Sequence, residues 1–202
     1  MSAAAGDFIH CKERKVIPKG FKLLDHLTEE QKEQYIAEKE AKKIEQANGQ
    51  KVLRRFNKLV KEHDFTRRSN WFSKEVGHVA HVVHFHKYTF GPTFRMHVLI
   101  RALNDSREYV ALNGMPGIDL HPYEPGFKYE NSEESIQLCA NAMFQAFQEV
   151  AIPWFKSNTF KVLISEKSPL IDSGREGLIE ALNGKGNPEY VEISRKLLEL
   201  KA

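Results

Sequence analysis

The sequence predicts an α+β fold: an antiparallel meander of about four strands packed on one face by two helices, with helical additions at the N- and C-terminal ends. Three observations carry that prediction. Valine- and aromatic-rich runs with two-residue alternation succeed one another between residues 65 and 103, an amphipathic helical stripe precedes them at 50–63, and a longer apolar one follows at 132–155. Three or four strands are the minimum for an independently stable sheet covered on one face.

Residues 1–25 read as irregular, with Pro18-Lys19-Gly20 as a turn signal. A helix is predicted from Thr28, because Thr28 and Gln31 have the spacing of a capping box, in which each side chain satisfies a backbone N–H that the first turn leaves unpaired. It is expected to run to Ala47 and to stop at Asn48-Gly49, which supplies a left-handed terminus. Its apolar residues, Tyr35, Ile36, Ala41 and Ile44, are sparse, and Glu38 pairs with Lys42 at i, i+4, so it reads as a charged, solvated helix, with a contact surface awaiting a partner as the alternative. The next helix, Gln50 to His63, gathers Val52, Leu53, Phe56, Leu59 and Val60 on one side and should pack against a sheet.

Strands are predicted at Phe65–Lys74, His78–Tyr88 and Phe94–Leu103, with Val76-Gly77 and the TFGPTF segment as connections, and a short fourth one near Glu108–Leu112. On the third, Phe94, Met96, Val98, Ile100 and Ala102 share one face while Arg95, His97, Leu99 and Arg101 share the other. Asn113 to Phe127 holds three prolines and three glycines and reads as a binding loop or lid, with disorder as the plainer alternative. The helix from Ser132 to Phe155 carries Ile136, Cys139, Ala140, Met143, Phe147 and Val150 on its main stripe, which makes Cys139 a packed hydrophobe rather than a reactive thiol. A strand-like FKVLI at 160–164 and two helices follow. The last of them starts at Pro188 with a stripe of Tyr190, Ile193, Leu197 and Leu200. The expected organisation is an N-terminal arm and charged helix (1–49), an α+β core (50–166) and a C-terminal helical segment (167–202).

Composition bounds the function. The 202 residues are 41% hydrophobic, enough for one domain with a real core. Two cysteines, Cys11 and Cys139, suggest neither a disulfide framework nor a cysteine metal knuckle. The N-terminus lacks the apolar stretch of a secretory signal and no window has the length of a membrane span, so a soluble, cytoplasmic protein with no membrane partner is expected. The net charge is +3, and the first 70 residues carry sixteen Lys or Arg against eleven Asp or Glu. That surplus suits nucleic acid or an acidic partner but is less dense than the basic stripe of a nucleic-acid reader.

From Val52 to Phe155 the order of features resembles a bacterial family catalogued as domain of unknown function 4304. The residues that carry the likeness are the helix ending in VKEHDF, the basic-aromatic TRRSNWFSK, two further apolar strands and a late helix closing in IPWF. The resemblance implies an α+β domain with a meandering antiparallel sheet and brings no catalytic residues with it. By class-level analogy it also suggests an immunity protein that neutralises a toxin.

The candidate site lies in HVAHVVHFHKY, residues 78–88. Alternation puts His84, His86 and Tyr88 on one face and His81 with Val79, Val83 and Phe85 on the other. If the valine side faces the core with Met96, Val98 and Ile100, then His84, His86, Arg95, His97 and Arg101 gather outside, in a register that opposes His84 to His97 and His86 to Arg95. With Asp119 and His121 from the loop, this face is the expected binding surface for an anionic ligand or the acidic patch of a protein partner. An alternative reading of the same face is a zinc site on His84, His86 and His97, leaving a fourth position for water as in a metal-dependent hydrolase, although two arginines flank it and no neighbouring carboxylate orients the ligands. A further alternative is nucleic-acid association through Lys51, Arg54, Arg55, Lys58, Lys61, Arg67 and Arg68, interrupted by Glu62 and Asp64. No nucleophile elbow or phosphate loop appears, and NGKG at 183–186 reads as a helix stop. The sequence therefore favours a non-enzymatic binding module for another protein, with no required cofactor.

Overall fold

The structure, a computed structural model, describes residues 27–112, 114–115, 122–123 and 126–200. The described residues fall into two units, divided between Ala41 and Lys42. Within the described part of the first unit, the capping box at Thr28 and Gln31 forms as expected, with reciprocal bonds of 2.9 and 3.3 Å, and Ile36 remains exposed on a charged surface.

The second unit holds a five-stranded antiparallel sheet in the order β1 (Thr66–Arg68), β2 (Trp71–Val76), β3 (Val79–Lys87), β4 (Thr93–Ala102) and β5 (Phe127–Lys128). The α+β meander is as predicted, with a different inventory at its edges. The expected strand at 65–74 is a hairpin, folded back at Ser69-Asn70, and Ser69 takes the left-handed φ of 52° that so tight a turn needs. No strand forms at 108–112. The carbonyls of Arg107 and Tyr109 accept instead from the Arg101 guanidinium at 2.6 and 2.7 Å, which takes that segment away from ladder pairing. β5 occupies the edge beside β4.

One sheet face is covered by α2 (Glu133–Ala146) and by the part of α1 (Glu29–Val60) that lies in this unit, from Lys42 on. Phe56 of α1 meets the edges of Phe72, Phe85 and Phe147 at 4.7, 4.8 and 6.1 Å, while Val79, Val83, Met96, Val98 and Ile100 pack in from the sheet with Ile136, Cys139 and Met143 from α2. Cys139 is buried in that core, and burial pushes its thiol up to about 12, in line with a packing role.

α1 contradicts the expected stop at Asn48-Gly49: it runs through without a break. The pair serves tertiary packing instead. Asn48 donates to Asn131 at 2.8 Å, and a Cβ on Gly49 would lie 2.7 Å from the Tyr129 hydroxyl, so glycine is what lets the helix approach the segment after β5. The helix predicted over 132–155 contains a π-turn at Phe147–Ala151 before α3 (Ile152–Ser157), where Pro153 lacks an N–H and its ring would crowd the carbonyl of Glu149 in a regular α-turn. FKVLI is not a strand. Phe160–Leu163 is the short helix α4, with only Leu163 buried, because a five-residue apolar run does not distinguish the two periods.

The second sheet face is where the C-terminal segment matters. α5 (Asp172–Leu182) and α6 (Pro188–Leu198) pack into the domain, and Leu198 joins Ala80, Val82, Leu99 and Leu103 in a second apolar cluster. The sheet is thus covered on both faces at one end.

Candidate functional site: the uncovered half of the second sheet face

The ladder sorts the second face into rows. Glu75, Ala80 and Arg101 lie side by side across β2, β3 and β4, followed by Ser73, Val82 and Leu99, then Trp71, His84 and His97, and finally His86 beside Arg95. The pairings His84↔His97 and His86↔Arg95 are those the alternation predicted. α6 covers the first two rows. Arg195 pairs with Glu75 at 2.6 Å, Ser194 Oγ accepts from Arg101 Nε at 3.0 Å, and Ser73 donates to the Leu198 carbonyl at 3.2 Å. Arg68, next to Trp71 on β1, closes the end of the helix by donating to the carbonyls of Lys196 and Leu197, both at 3.0 Å, and pairing with Glu199 at 2.8 Å.

Arg101 is therefore corrected from the expected surface. It lies on the predicted face but is 3% exposed, because α6 and the 103–109 segment enclose it. Its neighbour Asp105 is fully buried and holds Arg107 through two Nε contacts of 3.0 and 3.1 Å, with Ser173 of α5 donating at 3.3 Å. Burial pushes the Asp105 carboxyl up, but the hydrogen bonds from Arg107 and the charge of Arg101 outweigh it and hold it below the ordinary carboxylate range. This arginine–aspartate–arginine group welds β4 to α5 and α6. Asn104 completes the weld, donating to the Gly177 carbonyl at 3.0 Å and accepting from the Asn187 N–H at 2.6 Å.

Beyond α6 the face opens. His86 is exposed, and Arg95, His97, Tyr88 and Trp71 are half-buried. The three histidine rings form a near-equilateral cluster, with centroids 5.8 Å apart for His84 and His97 and 6.4 Å for each of the other two pairs. Trp71 stacks on His84 at 4.0 Å, and Tyr88 meets His86 edge-on at 6.1 Å. His84 itself is 6% exposed, so it forms the floor of the patch rather than its rim. Asn70 Nδ2 donates to the Phe85 carbonyl at 2.8 Å and approaches His84 Nε2 at 3.0 Å, which makes Nε2 the acceptor and leaves the proton of the neutral ring on Nδ1. Nδ1 is buried with no hydrogen-bond partner. Burial, followed by the charges of His97 and His86, lowers His84 to about 4, so it is neutral near pH 7.

His84 and His97 lie nearly parallel, 27° apart, and present ring faces to each other, whereas zinc ligation needs ring nitrogens converging to about 2.0–2.1 Å from one point. Among the described residues no group of three His, Cys, Asp or Glu is placed to hold a metal ion. Asp119 and His121, also expected here, lie outside the described residues. Met115 and Tyr123, which flank that part of the loop, pack against the first-face core.

His81 stands apart on the first face, as the alternation predicted. It stacks on Phe155 at 4.3 Å and 3°, and burial and then Lys74 lower it to about 4.

The basic residues considered for nucleic acid are largely committed to the fold. Lys51 and Arg55 both engage Glu133 at the start of α2, Arg67 donates to Gln50 and Ser69, and Arg68 caps α6. No helix among the described residues is long and apolar enough to cross a membrane.

Two features of the site escaped the sequence reading. Trp71 joins the histidines because its strand starts after a tight turn, and Asn70 in that turn anchors the floor histidine; the SN dipeptide at 69–70 was the available signal. No family model, curated protein or solved structure compared with this chain matches it, so the functional argument rests on this geometry.

Proposed function

We propose that the chain is a cytoplasmic binding module that receives an acidic segment of another protein on the uncovered half of its second sheet face. The observation that supports this reading is the division of that face: α6 closes the Ser73/Val82/Leu99 row and ends beside the Trp71/His84/His97 row, beyond which exposed His86 stands beside half-buried Arg95. The surface has the makeup of a recognition site. Trp71 and Tyr88 offer rigid apolar area, Arg95 offers a forked donor suited to carboxylates, and imidazole N–H groups donate whether or not the rings are charged. Short edge strands, three residues in β1 and two in β5, leave little backbone for strand addition, which favours side-chain recognition on the face. Neutralisation of a toxin by covering its acidic surface is a narrower form of the same proposal.

The test is a nuclear magnetic resonance titration of the full chain with a synthetic glutamate-rich peptide. Shifts concentrated at Trp71, His86, Tyr88, Arg95 and His97 are expected. Shifts confined to α1 and α2, or none at millimolar peptide, overturn the reading.

A further inference from the structure

A second concave surface adjoins the β1–β2 turn, where Asn70 lines it and also contacts His84. It is an open cleft of about 550 Å³, within the range of small-ligand sites. One wall is a stripe of α1, Lys43, Gln46, Gln50 and Arg54, which share a helix face at spacings of three, four and four. The facing wall is Ser69 and Lys87, with Leu53 and Phe94 as apolar contacts.

The charge lining this cleft is of one sign. No Asp or Glu is among its lining residues. Lys87 is neutralised by Glu45 at 2.5 Å, but Arg54 has no hydrogen bond or ion pair among the described residues, in contrast to Arg55 next to it, which engages Glu133. Arg67 adds a second guanidinium behind the stripe. Its Nη2 donates to Gln50 Oε1 at 2.7 Å and its Nε to the Ser69 carbonyl at 2.6 Å, so it is held in place by two residues of the cleft wall, and its bonds are to neutral acceptors only. Burial and then the charge of Arg54 lower Arg67 from its ordinary value, the direction expected for like charges brought close without a counterion. Gln50 spends its amide oxygen on Arg67 and keeps its NH2 as a donor.

An unpaired guanidinium and a neighbouring amide donor, whose oxygen is already held by Arg67, on the wall of a cleft without carboxylates make an anion receptor. We propose that this cleft binds a phosphorylated small molecule, with Arg54 and the Gln50 amide at the phosphates, Arg67 orienting Gln50 from behind, and Leu53 and Phe94 beside any organic moiety. The protein would then hold a small phosphorylated ligand at one site and a protein segment at another.

The experiment is calorimetric titration of the full chain at low ionic strength with inorganic pyrophosphate, ADP and adenosine. Pyrophosphate and ADP should bind and adenosine should not; ADP binding more tightly than pyrophosphate identifies a nucleotide-type ligand, and equal binding identifies the diphosphate group alone, both supporting the site. Arg54→Glu, an exposed position with no bond to lose, should weaken both phosphorylated probes at least tenfold with unchanged thermal unfolding. Failure of both probes to bind, adenosine binding as tightly as ADP, or full affinity in Arg54→Glu overturns the proposal.

Discussion

His84 and His97 face each other across β3 and β4 with ring centroids 5.8 Å apart, and Trp71 stacks on His84 at 4.0 Å, so one aromatic row crosses three strands. The row marks the boundary of the second sheet face. On one side of it α6 makes a second core; on the other the side chains meet solvent.

The floor histidine couples this boundary to pH. Its folded value of about 4 is below the ordinary 6.5, so the unfolded chain takes up the proton first. The stabilising contribution is fully present above about 6.5 and declines, by about 1.4 kcal/mol per pH unit for one proton, as pH falls towards 4. Denaturant unfolding at a series of pH values measures the slope. His84→Phe keeps the stack on Trp71 and removes the unpartnered Nδ1–H together with the Nε2 that accepts from Asn70, so it should reduce the slope by about one proton at a cost of about 1 kcal/mol at pH 7.

Gly49 sits in the middle of α1 for a tertiary reason, and its replacement should show it. Alanine gains about 1 kcal/mol of helix propensity but sets a Cβ 2.7 Å from the Tyr129 hydroxyl, which is tied to the Glu45 carbonyl at 3.1 Å and has little room to retreat. Gly49→Ala is expected to destabilise by about 1 kcal/mol net, and Tyr129→Phe to recover part of that loss in the double variant. Additive single and double variants in chemical denaturation would show that the hydroxyl is not the obstacle.

Asp105 is the keystone between β4 and the C-terminal helices. Asp105→Ala leaves Arg101 buried with its nearest carboxylate removed and Arg107 without its partner, a change expected to cost about 3–5 kcal/mol. Chemical denaturation checks the size. Protection of α5 and α6 amides from hydrogen exchange should fall more than that of α1.

Leu198 tests the second core. Leu198→Ala removes the α6 side chain buried among Ala80, Val82 and Leu99 and should cost about 2–4 kcal/mol in denaturant unfolding. A loss below 1 kcal/mol would mean that α6 is held by its polar contacts alone.

Much of this was legible from period-two alternation. Val79, Val83, Phe85, Met96, Val98 and Ile100 declare one face of β3 and β4, and the shared face of the histidines follows from the same count. The sequence could not show which charges end up inside. Arg101 reads as a surface cation until α6 and the carbonyls of 105–109 enclose it. The α6 seam is hidden for the same reason: its buried positions are Ser194 and Leu198, offset from the apolar stripe of Tyr190, Ile193, Leu197 and Leu200, because Arg101 needs a hydroxyl where periodicity looks for a hydrophobe. Asn48-Gly49 misled in the opposite sense. A local stop signal gave way to a close approach set by Tyr129, a residue 80 positions later.

The most direct test of the recognition surface compares two charge reversals in binding a glutamate-rich peptide. Arg95→Glu, beside the histidine cluster, should abolish binding, whereas Arg54→Glu, in the separate cleft along α1, should leave it unchanged. Equal affinities for both variants, or loss confined to Arg54→Glu, would contradict a protein-binding role for the open half of the sheet.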